Sequence, residues 1–326
     1  MHPSMALKQT TLIRWTGRGK FADLRSSVEF VLAENRARAR IAELGSSLVA
    51  TGPEPIGVAA LVGSMPGVSW VAAGMAASSP KELREAAGAL GVRYLRRGDR
   101  FAVEAEATRG MTSGDLAGTV TSSMLEAVKG ARVSDTPKVR FRAAFDGRAG
   151  VVGVEVKAGV GGVPTGAEQA ACLVSGGVHS SVLAWMAMLQ GFRVQLVHAE
   201  VDERSLRAVA RLYSELSHRG DPRWLGLEVI QGGPTSGALR SYAGASKVPV
   251  FAGFHSAGME VGARVTGSLS PLYLVPEETF HMEYEALGLK PLDSHVDWRA
   301  QGAGGLRVRR FGGSMADVSG VLDGVR

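Results

Sequence analysis

Apolar and polar residues alternate along this chain with two periods, and this alternation predicts its strands and helices. In the first half, alternation of period two marks strands, and apolar residues three to four positions apart mark helices. A strand is expected at residues 10–15, followed by an amphipathic helix over about 21–44 and a second, smaller helix. This β–α–β order predicts a small ferredoxin-like α+β domain at residues 1–76.

A second α/β domain is predicted at residues 77–166. Its expected elements are a helix over 81–90 capped by Ser79, a helix over 112–129 capped by Thr112 or Ser113, and strands at 101–107, 139–145 and 151–156. In the strand near residue 140, the period of two places Lys138, Arg140 and Arg142 on one face. That face is expected either to meet phosphates or to be the solvated outside of an ordinary sheet.

Beyond the glycine-rich joint at 159–166, strands and helices alternate. Strands are expected at 172–174, 193–201, 225–230 and 248–254, and helices at 180–190 and 203–217. Such alternation predicts a doubly wound parallel sheet for the domain at 167–326, with ligands beyond the carboxyl ends of its strands. Residues 306–311 are expected either to extend an RNA surface or to form an edge strand.

Charge is unevenly distributed between the two halves. Of the net charge of +6, residues 1–165 hold 22 Lys and Arg against 15 Asp and Glu, whereas the remaining residues hold 15 against 16. A basic half favours an anionic polymer as partner, although a generally arginine-rich composition explains the numbers equally well. We expect a cytoplasmic protein, because no membrane segment and no secretory signal is recognisable.

The single cysteine limits the chemistry. Cys172 excludes an intrachain disulfide, a Cys-x-x-Cys redox pair and a zinc site built on several thiolates. It lies in the apolar stretch Ala171-Cys172-Leu173-Val174, which is typical of a buried and inert thiol. No metal site built from protein ligands is predicted.

The segment that follows this stretch carries the clearest functional pattern. An apolar strand leads into Ser175-Gly176-Gly177 and then into an apolar helix. Two glycines let backbone N–H groups approach an anion, the hydroxyls of Ser175, Ser180 and Ser181 add donors, and the helix start contributes positive potential. The pattern therefore predicts a phosphate-binding loop.

These motifs together resemble those of the tRNA 4-thiouridine sulfurtransferase family. The loop is similar to the PP-loop of ATP pyrophosphatases, Ser-Gly-Gly-x-Asp-Ser. Phe-Ala-Val at 101–103 and Thr-Ser-Gly-Asp-Leu at 112–116 resemble parts of a THUMP domain, and Gly-Gly-Val-Pro-Thr-Gly at 161–166 resembles the family's Gly-Gly-x-Pro-x-Gly. The order and spacing of the motifs are more specific than any one of them.

The resemblance implies three domains: a ferredoxin-like domain, a THUMP domain and a PP-loop pyrophosphatase domain. The first two would hold the acceptor region of tRNA, and the third would adenylate a uridine with ATP and Mg²⁺. By family position, the nucleotide would be bound by Leu173, Val174, Ser175, Gly176, Gly177, Ser180, Ser181, His198 and Gly253. The candidate RNA-binding residues are Arg93, Arg96, Arg97, Arg109, Thr112, Ser113, Lys138, Arg140 and Arg142.

The chain departs from the family pattern at chemically important positions. His179 is the candidate catalytic residue by family position, but it replaces the loop aspartate, and a neutral imidazole is a poor substitute for a hard oxygen ligand of Mg²⁺. Ala-Gly-Phe-His at 252–255 replaces Thr-Gly-Glu, and Ser270 replaces an arginine. Because no cysteine follows Cys172, a persulfide relay within this chain is not expected.

Two hypotheses for the third domain follow from these departures. In one, the chain is a tRNA-binding protein whose eroded pyrophosphatase domain performs no sulfur transfer. In the other, it is an active adenylating enzyme that receives sulfur from an external donor protein, with Asp202 or Glu200 as the acid near Mg²⁺. A homodimer is compatible with either, since the sequence alone does not determine the oligomeric state.

Overall fold

The computed structural model describes residues 8–200, 202–234, 239, 242–252, 285, 287 and 301–312, with the backbone alone for residues 200, 232–234 and 301–312. The chain forms two compact units, Met1–Pro164 and Thr165–Arg326, which we call unit 1 and unit 2. No helix within the described ranges combines the length and the apolar character needed to cross a membrane.

Unit 1 is built on one eight-stranded sheet with the strand order β2-β3-β1-β4-β8-β7-β5-β6. Its elements are β1 (Lys8–Trp15), α1 (Phe21–Glu34), β2 (Arg40–Leu44), β3 (Ser47–Thr51), α2 (Pro55–Val62), β4 (Val68–Ala77), α3 (Pro80–Tyr94), β5 (Arg100–Ala107), α4 (Ser113–Ala127), β6 (Arg132–Val133), β7 (Val139–Phe145) and β8 (Gly150–Gly161).

The predicted helix over 21–44 is wrong in its second half. Helix α1 ends at Glu34, Arg36 takes a positive φ of 54°, and Arg40–Leu44 forms strand β2. The reason is the local pattern, since Ala37, Ala39 and Ile41 alternate with arginines and so carry the period of a strand. The pairing of β2 with β3 then closes a hairpin at Gly45.

Helices pack in two pairs on one face of this sheet. A core that includes Leu24 and Val28 of α1 and Val58 of α2 is buried against β1, β3 and β4. A second core, which includes Leu83 of α3 and Leu116 of α4, is buried against β5, β7 and β8. Each helix pair thus buries its apolar face against its own half of the sheet.

The opposite face of the sheet is concave, because Arg14 of β1 pairs with Glu106 of β5 although three strands lie between β1 and β5. A third core lies on this face and includes Leu12, Val49 and Val151, each at most 8% exposed. The β2–β3 hairpin reaches β5 across it, where the hydroxyl of Ser46 donates to Glu106 Oε1 at 2.8 Å. We call this surface the concave face.

The mixed α/β fold predicted from the sequence is confirmed. The domain bounds 1–76, 77–166 and 167–326 stay predictions. The eight-stranded sheet runs without interruption past residue 76, because β4 pairs with β1 on one side and with β8 on the other.

Unit 2 contains the predicted parallel sheet. Its order is β12-β9-β10-β11-β13, where β9 to β12 are parallel and β13 is an antiparallel edge strand that includes residues 306–311. The elements are β9 (Gln169–Leu173), α5 (Val178–Leu189), β10 (Arg193–Glu200), α6 (Glu203–Arg219), β11 (Leu225–Pro234), β12 (Val250–Ala252) and β13 (Gln301–Gly312).

Strand order reverses in the middle of this sheet. The chain proceeds from β9 to β10 and β11 on one side, whereas β12 lies on the other side of β9. In open α/β sheets, ligands bind in the crevice at such a reversal, beyond the carboxyl ends of the strands. The Ser-Gly-Gly segment follows the carboxyl end of β9 and therefore lies at this position.

Candidate nucleotide and RNA sites

The loop between β9 and α5 has the geometry of an anion cradle. Gly176 has a φ of +81°, a region that L side chains rarely adopt, and Gly177 caps α5 in an extended conformation. The first amide to bond within the helix is that of Ser181, which donates to the carbonyl of Gly177 at 3.1 Å. Earlier amides have no carbonyl one turn before them in the helix, and they present the positive end of α5.

The hydroxyls of Ser175 and Ser180 shape this loop. The N–H of Ser175 donates to Ser180 Oγ at 3.1 Å, and the two hydroxyl oxygens lie 3.2 Å apart. Ser180 Oγ also donates to the carbonyl of Gly177 at 3.2 Å, and the N–H of Gly177 donates to Ser175 Oγ at 3.3 Å. The sequence predicted these hydroxyls as ligand donors, and the structure places them within the hydrogen bonds of the turn.

Ser181 differs from these two serines. Its side chain is fully buried, and its hydroxyl finds no hydrogen-bond partner among the described residues. Leaving such a group without a partner costs about 1–3 kcal/mol. An orphaned donor directly after the loop fits a site in which another polar group, such as a phosphate oxygen, is present when the site is filled.

His198 is enclosed between the loop and helix α6. Its ring is 1% exposed, with Nδ1 donating to the carbonyl of Val174 at 2.9 Å and Nε2 lying 3.4 Å from Ser205 Oγ. Ser205 Oγ in turn donates to the carbonyl of Asp202 at 2.9 Å. The residue predicted to line the nucleotide pocket therefore connects the phosphate loop to the start of α6.

Asp202 is the acidic residue that these contacts connect to the loop. It caps α6, where Oδ1 accepts the N–H of Ser205 at 2.6 Å. This backbone N–H is the main cause that holds the pKa of the carboxyl below its usual value, so Asp202 is ionised at neutral pH. His179, the second residue of α5, is half-buried.

The described residues fit phosphates better than they fit a metal ion. Among them, no group of three His, Cys, Asp or Glu side chains is close enough to hold a metal. The cradle at Gly176 and Gly177 and the orphaned hydroxyl of Ser181 fit an anion. Among the described residues 174–181, which form the loop and the first turn of α5, none carries a carboxylate.

The other predicted nucleotide-binding residues are placed as follows. Leu173 and Val174 are 2% and 3% exposed, and both backbone hydrogen-bonding groups of Val174 are already paired, with Val197 and His198. Gly253 lies outside the described residues, as do His255 and Ser270.

Cys172 is confirmed as a core residue. It lies on β9 and is completely buried, and this burial raises the pKa of its thiol to about 12. The thiolate is the nucleophilic form of cysteine. The thiol is therefore held in its neutral form, enclosed in the sheet.

Two of the candidate RNA-binding residues on β7 belong to the concave face. Arg140 donates to Glu104 Oε1 at 2.9 Å, and Arg142 pairs with the other oxygen of the same carboxylate. Arg142 also reaches Glu155 at 2.5 Å and stacks on Trp70, with its guanidinium carbon 4.7 Å from the ring centroid. With a side chain only 11% exposed, Arg142 is engaged within the protein.

Other candidates lie at the two ends of unit 1. Arg93, Arg96, Arg97 and Lys138 lie where α3 ends and where β5 and β7 begin, and all four are exposed. At the opposite end, Arg109 and Thr112 lie between β5 and α4, and Ser113 is the first residue of α4. There Thr112 and Asp115 form a capping box, and Ser113 Oγ accepts the N–H of Ala107 at 3.0 Å.

Sequence reasoning missed Ser205 and Trp70. Ser205 follows Asp202 by three residues, a spacing that indicates a helix start, but nothing local shows that its hydroxyl meets a histidine on the preceding strand. Trp70 lies 72 positions before Arg142, and only the pairing of β4 and β7 with the two sides of β8 brings them together.

One known family matches the part of the chain that contains this loop. Residues 165–223 match the model of a family described as "Thiamine biosynthesis protein (ThiI)". No curated protein matches the chain significantly.

Solved structures resemble the chain over most of its length. PH1313 from Pyrococcus horikoshii Ot3 superimposes with a TM-score of 0.68 at 18% identity, covering 86% of this chain and 100% of that one. A 4-thiouridine synthetase, solved as an RNA complex with bound ATP, superimposes with a TM-score of 0.67 at 15% identity, covering 98% of this chain and 95% of that one. The segment around the phosphate loop is thus similar in sequence to the ThiI family, and the fold of the chain is similar to that of these two structures.

Proposed function

We propose that this protein binds tRNA through unit 1 and binds the phosphates of ATP at the loop of unit 2, without carrying the sulfur itself. The retained loop geometry is the observation that supports ATP binding. It combines a left-handed Gly176, the cap at Gly177 and the start of α5 at a reversal of strand order. The fold shared with a 4-thiouridine synthetase that binds RNA and ATP supports the choice of ligands.

In this proposal, backbone groups at Gly176, Gly177 and the start of α5 hold the phosphates. Ser175 and Ser180 keep the loop in shape through their mutual hydrogen bond. Since tRNA is a cytoplasmic molecule in most cells, the proposal places the protein in the cytoplasm.

The sulfur-transfer step is the part that this chain lacks. Its one cysteine is buried, with a thiol pKa of about 12, and a nucleophile needs the thiolate. His179 at the loop offers no carboxylate oxygen for Mg²⁺. We therefore favour a tRNA-binding protein with an eroded pyrophosphatase domain.

A second candidate function is adenylation of tRNA with an external sulfur donor. The observation that favours it is the position of Asp202, an ionised carboxylate joined to the loop through Ser205 and His198. Mg²⁺ bound to ATP often uses only one or two carboxylates together with phosphate oxygens. In this candidate, Asp202 takes the part of the missing loop aspartate.

Two measurements on the full chain test these proposals. Equilibrium dialysis with ATP tests the loop, and tRNA-dependent release of pyrophosphate from ATP and Mg²⁺ tests adenylation, with tRNA omitted as control. ATP binding without pyrophosphate release supports the eroded domain. Release above the control supports the adenylating enzyme, and absence of ATP binding contradicts both.

The variants His179→Asp and His179→Asn sharpen the second measurement. They are nearly equal in shape, so only Asp restores a carboxylate at the loop. If the chain is an adenylating enzyme that relies on Asp202, His179→Asp should change the rate of pyrophosphate release, and Asp202→Asn should abolish this release. If the domain has lost several catalytic groups, His179→Asp, His179→Asn and Asp202→Asn should all release no pyrophosphate above the control.

A further inference from the structure

Unit 1 gathers exposed cations at the end where α3 and α4 finish and where β5, β6 and β7 begin. We propose that this basic end, formed by Arg93, Arg97, Lys129 and Arg132, binds the phosphate backbone of tRNA, and that the concave face does not. The inference deepens the proposed function and rests on tRNA binding by unit 1. Lys129 and Arg132 were not among the residues predicted from the sequence.

Backbone hydrogen bonds hold the segments of the basic end together. The N–H of Gly98 donates to the carbonyl of Gly130 at 2.8 Å, and the N–H of Arg132 donates to the carbonyl of Asp99 at 2.9 Å. The segment after α3 and the segment after α4 are therefore fixed against each other. Cations far apart in sequence become neighbours on a rigid frame.

Arg97 is positioned by packing as well. Gly130 has a φ of +89°, and a Cβ built there would lie 2.8 Å from Arg97 Cγ. The aliphatic stem of Arg97 thus lies directly over the glycine backbone, and its charged group extends beyond it. Packing of the stem reduces the entropy that the side chain loses when it binds a phosphate.

Positive charge at this end is in excess. Residues 93–100 and 129–138 contain seven Lys and Arg but only Asp99 and Asp135 as acids. Asp99 is already engaged, since Oδ1 pairs with Lys138 at 3.0 Å and Oδ2 accepts the N–H of Arg96 at 2.8 Å. None of the four cations of the basic end has a carboxylate partner within the part of the chain that the structure describes.

On the concave face, in contrast, the arginines are paired with carboxylates. Arg14 pairs with Glu106, Arg140 with Glu104, and Arg142 with both Glu104 and Glu155. To bind a phosphate there, the protein would have to break these pairs and expose a carboxylate to the anion. The charges on the sheet face that was predicted to bind RNA are therefore neutralised within the protein. The basic end, in contrast, keeps its excess of positive charge.

The alternative to phosphate binding is that the cations at this end cap the C-termini of helices. Arg96 does so, because its guanidinium donates to the carbonyls of Val92 and Leu95 at 3.3 and 3.0 Å. Arg97, Lys129 and Arg132 make no such side-chain bond among the described residues. Arg93 lies over the ring of Tyr94, with its guanidinium carbon 5.4 Å from the ring centroid.

Measuring tRNA affinity against salt concentration tests the basic end. The double variant Arg97→Gln/Arg132→Gln is compared with Lys81→Gln/Arg84→Gln, which removes equal charge from the opposite end of α3. Each lost phosphate contact lowers the slope of log K against log salt by about 1. We expect the first variant to lower the slope by about 2 and to weaken binding roughly tenfold at physiological salt, while the second leaves both unchanged.

A further variant, Lys129→Gln/Arg132→Gln, leaves the packing of Arg97 on Gly130 intact and should show the same loss at an unchanged melting temperature. Equal slopes in the wild-type chain and both basic-end variants would overturn the inference while leaving tRNA binding in place. A wild-type chain that binds no tRNA would overturn the proposed function itself. Preference for an acidic polypeptide such as polyglutamate over tRNA would assign the basic end to a protein partner and overturn the inference.

Discussion

The ring of His198 and the carbonyl of Val174 are joined by a buried hydrogen bond of 2.9 Å. This bond holds the exit of β9 at the point where the chain enters the phosphate loop, and the other ring nitrogen faces Ser205 at the start of α6. His198 therefore positions the loop between β9 and α5.

The variants His198→Asn and His198→Leu test this role. Asn retains a donor near the position of Nδ1, whereas Leu leaves the Val174 carbonyl unpaired at a cost of about 1–3 kcal/mol. We expect the ATP affinity, measured by equilibrium dialysis, to fall several-fold in His198→Leu and to be largely retained in His198→Asn. Urea unfolding of both variants measures their stability in parallel. Equal ATP affinities in the two variants would argue against positioning through Val174.

The two loop glycines should respond differently to alanine. Gly176→Ala places a side chain at a φ of +81°, and we expect unfolding to become easier by about 1–2 kcal/mol. Gly177 has an ordinary φ of −80°, and a Cβ there lies 3.4 Å from Ser175 Oγ, which is normal contact. Gly177→Ala should thus keep the fold but weaken ATP binding, because its methyl group enters the cradle.

Cys172 should be unreactive in the native protein. Its thiol is completely buried and stays protonated to a pKa of about 12. We expect 5,5′-dithiobis(2-nitrobenzoate) to react with it only on unfolding, at a rate that increases with urea. Rapid labelling of the folded chain at pH 8 would show an accessible thiolate and reopen a sulfur-carrying role.

The same thiol predicts a dependence of stability on pH. The native pKa is raised above the ordinary value of 9.0, so the neutral thiol favours the folded state. This contribution is complete below about pH 9 and is lost as the pH rises toward 12. The difference in unfolding free energy between the wild type and Cys172→Ala should therefore narrow above pH 9, as measured by urea denaturation.

Arg142 should matter for the stability of unit 1. Removing it leaves Glu155, whose side chain is 17% exposed, without its cation. We expect Arg142→Met to lower the free energy of unfolding by about 2 kcal/mol, and Arg142→Met/Glu155→Gln to recover part of the loss. Arg140→Gln is the matched control, since its exposed pair should contribute less than about 1 kcal/mol.

The capping box at α4 gives a prediction at acidic pH. The hydroxyl of Thr112 donates to Asp115, and this bond is the main cause that holds the pKa of Asp115 below its usual value of 3.8. The pair therefore stabilises the fold above that value, and its contribution is lost as the pH falls through the native pKa. Thr112→Ala should lower the melting temperature by about 2–4 °C at pH 7, and by less at pH 3.

Much of unit 2 follows from the sequence because its signals are local. An apolar run, Ser175-Gly176-Gly177 and a second apolar run determine a strand, a turn and a helix within about twenty residues. The alternation of strands and helices then requires a parallel sheet, since crossover connections join parallel strands. The burial of Cys172 follows from the same apolar run.

Tertiary structure alone decided which polar groups meet. Arg142 was predicted on a polar strand face, but the pairing of β7 with β8 and of β8 with β4 places Glu155 and Trp70 against it. His198 and Ser205 are likewise joined across a strand and a helix. Periodicity assigns a residue to a face, whereas the partner of that face depends on how distant strands twist and close, and no local pattern encodes this.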